Sequence, residues 1–403
     1  MVRLFNTILI ASLCLGLNSQ EIVQWRGPVR DGVYNEKGLM RKWPAAGPKL
    51  IWTFDQLGEG FSSAAVTSTG IYTTGMISGT GYVFALNHQG KQLWRTEYGK
   101  EWTDSYNGSR STPLVIGDRL YIFSAYAKLV CINTADGKIV WSIDFMKDHG
   151  ARNITWGITE NLLADGNMLY CAPGGPEANV VAVDRNTGKI IWKSRGNGEL
   201  SAYNSPVIIN LPKRKLLVTM MEKSIHGFDA ATGTLLWRFG HINQYSVHPN
   251  VPKYIDGYLY CTSGYGFGGV MLKLAADGSS VTQVWTNNKL DPRIGGFVVL
   301  NDRIYGGGDK TRALFCLDWK TGKEIYSLNQ HAPSNIIAND GLLYIYSERG
   351  QVVLVEPKEN AFEVLSSFNV PKGSGPHWAH LVIHNKKLYV RHGASLMVYD
   401  LGA

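Results

Sequence analysis

An aromatic residue returns along this chain at intervals that suit a ring of small sheets. The ladder Trp52, Trp94, Trp141, Trp192, Trp237, Trp285 and Tyr326 has spacings of 42, 47, 51, 45, 48 and 41 residues. Most rungs end one motif: Asn87-His-Gln-Gly-Lys-Gln-Leu-Trp94, Thr134-Ala-Asp-Gly-Lys-Ile-Val-Trp141, Arg185-Asn-Thr-Gly-Lys-Ile-Ile-Trp192 and Ala230-Ala-Thr-Gly-Thr-Leu-Leu-Trp237. It returns with Tyr for Trp in 320–326 and with an insertion in 277–285. A period in the forties is that of one four-stranded propeller blade.

Each part of the motif has a physical task. An apolar run such as Val180-Val-Ala-Val is a strand, and the Thr-Gly or Asp-Gly after it supplies the positive-φ turn of a hairpin. The run ending in Trp is the next strand, its indole free to pack on a neighbouring blade. A second hairpin recurs upstream, as in Ile116-Gly-Asp-Arg-Leu-Tyr121 and Ile255-Asp-Gly-Tyr-Leu-Tyr260, so each repeat holds four strands. Seven repeats are complete between 61 and 376, whereas 377–401 holds three strands, and the early run Lys49-Leu-Ile-Trp-Thr53 reads as an outer strand without a sheet. Joining these two ends gives an all-β, eight-bladed propeller of four-stranded antiparallel blades. The N-terminal strand completes the last blade and leaves no open sheet edge in the ring. The implied organisation is a signal peptide over 1–19, an extension over 20–48 and the propeller over 49–403.

The first segment carries an address. Arg3 precedes an apolar run over 4–17, broken by Asn6 and Thr7, with small residues at 16–19. This is the pattern of a cleaved secretory signal, and a run of about 14 residues is short for a transmembrane helix. Cys14 follows Leu13, where a lipid-attachment motif needs a small residue. No other run is long and apolar enough to span, so the expected location is periplasmic or extracellular. The net charge of +8 is spread without a Lys/Arg run, which argues against nucleic acid as a partner. Cys131, Cys171, Cys261 and Cys316 lie in strands of four different repeats, where Cys serves as a small apolar residue, and are expected as free thiols.

The motif Ala-x-Asp-x-x-Thr-Gly-Lys-x-x-Trp, intact at 182–192, resembles the docking repeat of pyrroloquinoline quinone (PQQ) dehydrogenases, which the assembly factor BamB shares. Trp25-Arg-Gly-Pro-Val-Arg-Asp-Gly32, Gly108-Ser-Arg-Ser-Thr-Pro113, Trp156-Gly-Ile-Thr-Glu160 and Pro173-Gly-Gly175 are similar to secreted PQQ-like propeller proteins. The likeness covers nearly the whole mature chain and implies the fold; it does not choose a function, because the repeat is a packing device.

Chemistry in such a ring is expected where the segments opening each inner strand meet. Those segments bring Arg110, Trp156, Glu160, Tyr203, Asn204, His248, Arg293 and His377 toward one channel mouth, with Tyr106, Asn107, Asn250, Asn335, Trp378 and His380 beside them and Tyr265 on a facing loop. Arg110 and Arg293 would meet an anion such as a uronate, and Trp156 would stack on a ring. The expected function is a non-catalytic binding or scaffolding propeller presenting this face to a protein, a carbohydrate or a small anionic ligand. The alternative is an enzyme on the same face, either a PQQ- and calcium-dependent dehydrogenase or a carbohydrate-active one. For the quinone reading the resemblance offers Glu177, in Gly174-Gly-Pro-Glu177, as a calcium ligand and Arg110 as the quinone contact. It supplies no adjacent Cys pair, no Gly-Thr-Gly-Asn segment and no catalytic Asp. One carboxylate falls short of the six or so oxygens a calcium ion takes.

Overall fold

A computed structural model describes residues 21–403, so the segment expected to be a signal peptide, with Cys14, lies outside the described residues. Eight four-stranded antiparallel blades follow in order over 65–100, 114–144, 163–194, 207–240, 253–287, 297–328, 334–369 and 382–400. The eighth is completed by Leu50–Phe54, which pairs with Ser395–Asp400 and sets Trp52 opposite Val398. Val398 in turn faces Tyr389, so the early Trp closes the ring on the blade expected of it.

The repeated motif explains how one blade holds the next. A β-carbon on Gly90, Gly137, Gly188, Gly233 or Gly322 would overlap the indole of Trp52, Trp94, Trp141, Trp192 or Trp285 from the preceding blade. Each glycine also holds a φ between 67° and 80°, so the turn needs glycine twice, for conformation and for space. The indoles of Trp52, Trp94, Trp141 and Trp192 donate to His88 O, Thr134 O, Arg185 O and Ala230 O of the next blade at 3.0–3.2 Å. The Trp237 and Trp285 indole N–H groups are buried without a hydrogen-bond partner among the described residues. Cys131 and Cys316 face Trp141 and Tyr326 across their blades, where a small residue makes room, and all four described cysteines are free and buried.

Residues 21–36 thread the central channel. Ile22–Val23 adds antiparallel to the inner strand Leu114–Ile116 of the second blade, and Val33–Tyr34 adds parallel to Ser334–Asn339 of the seventh. Between them the backbone turns through positive φ at Arg26, Gly27, Arg30 and Gly32, and a β-carbon on Gly32 would strike the Arg26 guanidinium. The chain then crosses to the eighth blade, where Met40 N–H donates to Leu401 O, while Trp43 buries against Tyr344 and Phe368 of the seventh. No helix among the described residues is long and apolar enough to cross a membrane.

Candidate functional site at the channel mouth

Each inner strand is opened from one face of the ring, and the Thr-Gly turns lie on the other. At the opening face a cavity of about 200 Å³ sits on the axis. Its floor is Trp25, carried up the channel by the extension and set edge-on to His380 at 4.8 Å between ring centroids. Its wall comes from openings and loops of seven blades: Phe61; Tyr106 and Arg110; Trp156, Thr159 and Asn161; Tyr203; Val247, Pro249 and Tyr265; Arg293 and Ile294; Trp378 and His380. The rings support one another, with Phe61 and Tyr106 at 5.0 and 4.9 Å from Trp378, and Trp156 at 6.1 Å from Tyr203. Tyr203 Oη also accepts the Trp156 backbone N–H at 3.1 Å. Tyr106, Tyr203 and Tyr265 all hold positive φ, at 49°, 62° and 61°. That conformation costs a side-chain-bearing residue about 1 kcal/mol or more, and such strain collects where a site is being shaped.

The alternation of extended chain decides which residues of each opening reach the cavity. Thr159 and Asn161 line it while Glu160 between them turns away; Val247 and Pro249 line it while His248 does not; Trp378 and His380 line it while His377 does not.

Electrostatically the cavity is one-sided. No carboxylate lines it. The Arg110 guanidinium is held by the carbonyls of its own loop, Tyr106 O at 2.9 and 3.1 Å and Gly108 O at 3.3 Å, with no carboxylate within 4 Å among the described residues. Burial pulls its pKa down to about 10, which leaves it a cation at neutral pH. The carboxylate whose field it feels, Glu101, is pushed up to about 7 by burial and accepts the Tyr98 hydroxyl at 2.6 Å. Arg293 was expected to supply a second charge, and the structure corrects this. It donates to Asp309 at 2.7 Å and to Glu348 at 2.6 Å, so two carboxylates outweigh its charge. Glu348 also takes the Trp378 indole N–H at 2.8 Å. Beneath the floor, Arg26 Nη1 lies 3.0 Å from His380 Nδ1, so that nitrogen accepts and the other carries the proton toward Ile294 O at 3.2 Å. Burial beside Arg26 keeps His380 neutral, well below the usual histidine range.

A family model described as "Outer membrane protein assembly factor BamB" matches residues 79–238 and 176–293, together more than half of the 403 residues. The chain belongs to this BamB-type family of PQQ-like propellers. Tetrathionate hydrolase of Acidithiobacillus ferrooxidans is 27% identical over 54% of this chain and 44% of its own length. BamB of Yersinia pestis is 25% identical over 53% and 55%, and the quinoprotein alcohol dehydrogenase PedH of Pseudomonas putida 22% identical over 36% and 25%. The chain thus spans about half or less of the length of these curated relatives. Among solved structures, BamB from Moraxella catarrhalis superposes with a TM-score of 0.61 at 15% identity, over 88% of this chain and 99% of that one. A europium-containing methanol dehydrogenase gives 0.54 at 12%, over 92% and 90%. At such identities the likeness speaks for fold alone.

Within this BamB-type ring, eight of the expected residues, Arg110, Trp156, Tyr203 and Arg293 with Tyr106, Tyr265, Trp378 and His380, share the cavity, and the others have different settings. Asn204 is saturated: it donates to His248 O and Asn250 O at 2.8 and 2.7 Å and accepts from Thr219 and Met220 N at 3.2 and 3.1 Å. Asn250 and Asn335 make similar ties, to Pro292 O and Ala379 O of the next opening, so these amides pin blade to blade. His248 is buried beside His241 and held neutral by burial, its pKa down to about 4. His377 stacks on His392 at 3.6 Å and bonds the Tyr346 hydroxyl at 2.7 Å. Glu160 is fully buried, takes Ala172 N–H at 2.8 Å, and is pushed up to about 8 by burial, only partly opposed by the charge of Arg30. Glu177 lies on an exposed loop against Arg195 at 3.3 Å, away from the cavity. No cluster of three or more His, Cys, Asp or Glu able to hold a metal occurs among the described residues. The donor set that calcium requires is therefore not assembled at this mouth, and the residues present do not fit a calcium-bound quinone there. Seven lining residues escaped the sequence reading: the aromatic Trp25 and Phe61, with Thr159, Asn161, Val247, Pro249 and Ile294. Trp25 was visible only as part of a family-like motif.

Proposed function

We propose that this protein is an extracytoplasmic binding propeller whose mouth cavity takes a flat, ring-shaped anion, with a sugar acid as the model ligand. The observation that carries this reading is Arg110, a half-buried cation without a carboxylate partner, at a cavity walled by aromatic rings. An anionic group would face Arg110, and the less polar face of a ring would lie on Trp156 or Trp25, as aromatic surfaces favour. The opposite side, where Asp309 and Glu348 surround Arg293, suits hydroxyl donors and disfavours a second negative charge. One ligand orientation follows.

Titrating galacturonate, glucuronate and mannuronate while following tryptophan fluorescence tests the reading. Arg110→Ala and Trp156→Ala are each expected to weaken binding by about 1–3 kcal/mol, the scale of a charge-assisted hydrogen bond. Unchanged affinity in both variants would remove the cavity from consideration. Calorimetry with PQQ and calcium is the matching arm for an enzyme: tight, calcium-dependent binding would favour the dehydrogenase reading instead.

A further inference from the structure

The aromatic surface does not stop at the cavity. Tyr245, which does not line the cavity, lies 5.9 Å from Trp156 and 4.7 Å from Tyr265 of the cavity wall, and Phe267 follows on the Tyr265 loop. Tyr245 is 42% exposed and Phe267 43%, and Ile242, on the loop that carries Tyr245, is 58% exposed. Single exposed apolar residues are ordinary, but several adjoining aromatics on one sector mark a contact surface. Most other large exposed hydrophobics are scattered on outer strands or on the channel-threading segment, so this sector is distinctive.

The sector has its own cation. Gly266, at φ 77°, leaves the space in which the Lys310 side chain lies, and a β-carbon there would overlap Lys310 Cδ. Lys310 is exposed, and its ammonium has no carboxylate within 4 Å among the described residues, while its backbone N–H donates to Asp291 Oδ2 at 3.2 Å. Tyr265 and Phe267 with Lys310 therefore repeat the pairing of Trp156 with Arg110: aromatic faces beside an unneutralised cation. Asp309, next to Lys310 in sequence, and Glu348 hold Arg293 at 2.7 and 2.6 Å, so carboxylates near Lys310 limit how closely negative charges on a ligand can follow one another.

We propose that the cavity is the terminal subsite of a longer groove, and that the ligand is an oligomer of sugar acids. Its second unit lies on Tyr245, Tyr265 and Phe267 with its carboxylate at Lys310. This rests on the reading of the cavity as an anion site and adds chain length and charge spacing to it. A covalently linked second unit meets its subsite at high effective concentration, so modest contacts there multiply affinity.

The test compares uronate monomers with their dimers and trimers, and with neutral oligomers of the parent sugars, by calorimetry. The dimer is expected to bind at least tenfold tighter than the monomer and the neutral dimer at least tenfold weaker than the acidic one. Phe267→Ser and Lys310→Ala should erase the gain from the second unit and leave monomer affinity within twofold. A monomer that binds through Arg110 with no gain on lengthening overturns the groove and spares the cavity. No binding by monomer or oligomer overturns both. Concentration-dependent dimerisation abolished by Phe267→Ser, without any oligomer gain, would assign the sector to a second copy of this chain and also overturn the proposal.

Discussion

Two levels of the channel use the same residue type in opposite ways. Beneath the cavity floor, Arg26 is buried among carbonyls, donating to Asp31 O, Phe297 O and Ile336 O at 3.1, 2.6 and 3.1 Å. Arg30 does the same with Asn161 O and Leu162 O at 2.8 and 2.7 Å. These guanidiniums tie the extension to the third, sixth and seventh blades. At the mouth, Arg110 bonds only its own loop and keeps one side toward the cavity. Buried arginine bonded to carbonyls of several blades is a fastener; arginine satisfied locally and half exposed is available to a ligand.

The largest effect that would break this comparison is on stability. Arg26→Ala strands several buried carbonyls and is expected to cost about 3–5 kcal/mol in chemical denaturation. Arg110→Ala should cost less than about 1 kcal/mol in the same assay, since its acceptors lie near solvent. Equal losses would mean that both arginines are fasteners.

Below the mouth, Glu160 makes a pH prediction. Its carboxyl keeps its proton up to about 8 in the fold, against an ordinary value of 4.5. Between those values the unfolded chain releases the proton and the native chain holds it, so stability falls as pH rises through the window. Glu160→Gln keeps an acceptor for Ala172 N–H and should raise the melting temperature at pH 8, with the difference vanishing near pH 4.5. A difference that grows toward acid would contradict the assignment.

At the mouth the smaller effect belongs to Glu101. It becomes anionic as pH rises through about 7 and offsets Arg110, so uronate affinity should decline modestly from pH 6 to pH 8. Glu101→Gln should flatten that decline in a binding titration. Smallest of all is Val29, which lies on the threading segment yet is 68% exposed. Val29→Ser should change stability by no more than about 0.5 kcal/mol, which separates fastening residues of the extension from passive ones.

Much of the ring was legible in advance because its defining contact is local to the repeat. The indole of one blade and the glycine of the next belong to successive copies of one motif, so their partnership leaves a period in the sequence. The stray Trp52 strand and the short last repeat revealed closure by the same logic. The mouth was legible only as a set of candidates. Glu160, His248 and His377 are polar and open inner strands, yet each points away, because strand alternation at an opening has a phase that the ring's curvature sets. Asn204 looked like a ligand contact and proved to be a blade-to-blade tie.

The sequence by itself therefore determined the repeat, the number of blades, the partner of the first strand and the blade positions of the cysteines. These follow from contacts between residues one repeat apart, or between the chain's two incomplete ends. Only the tertiary structure decided that the extension climbs the channel to place Trp25 under the cavity, that Arg293 is neutralised by Asp309 and Glu348, and that Arg110 is left without a carboxylate. Those outcomes depend on segments meeting across the axis from different blades. Such meetings occur once each, and an unrepeated contact leaves no period to read.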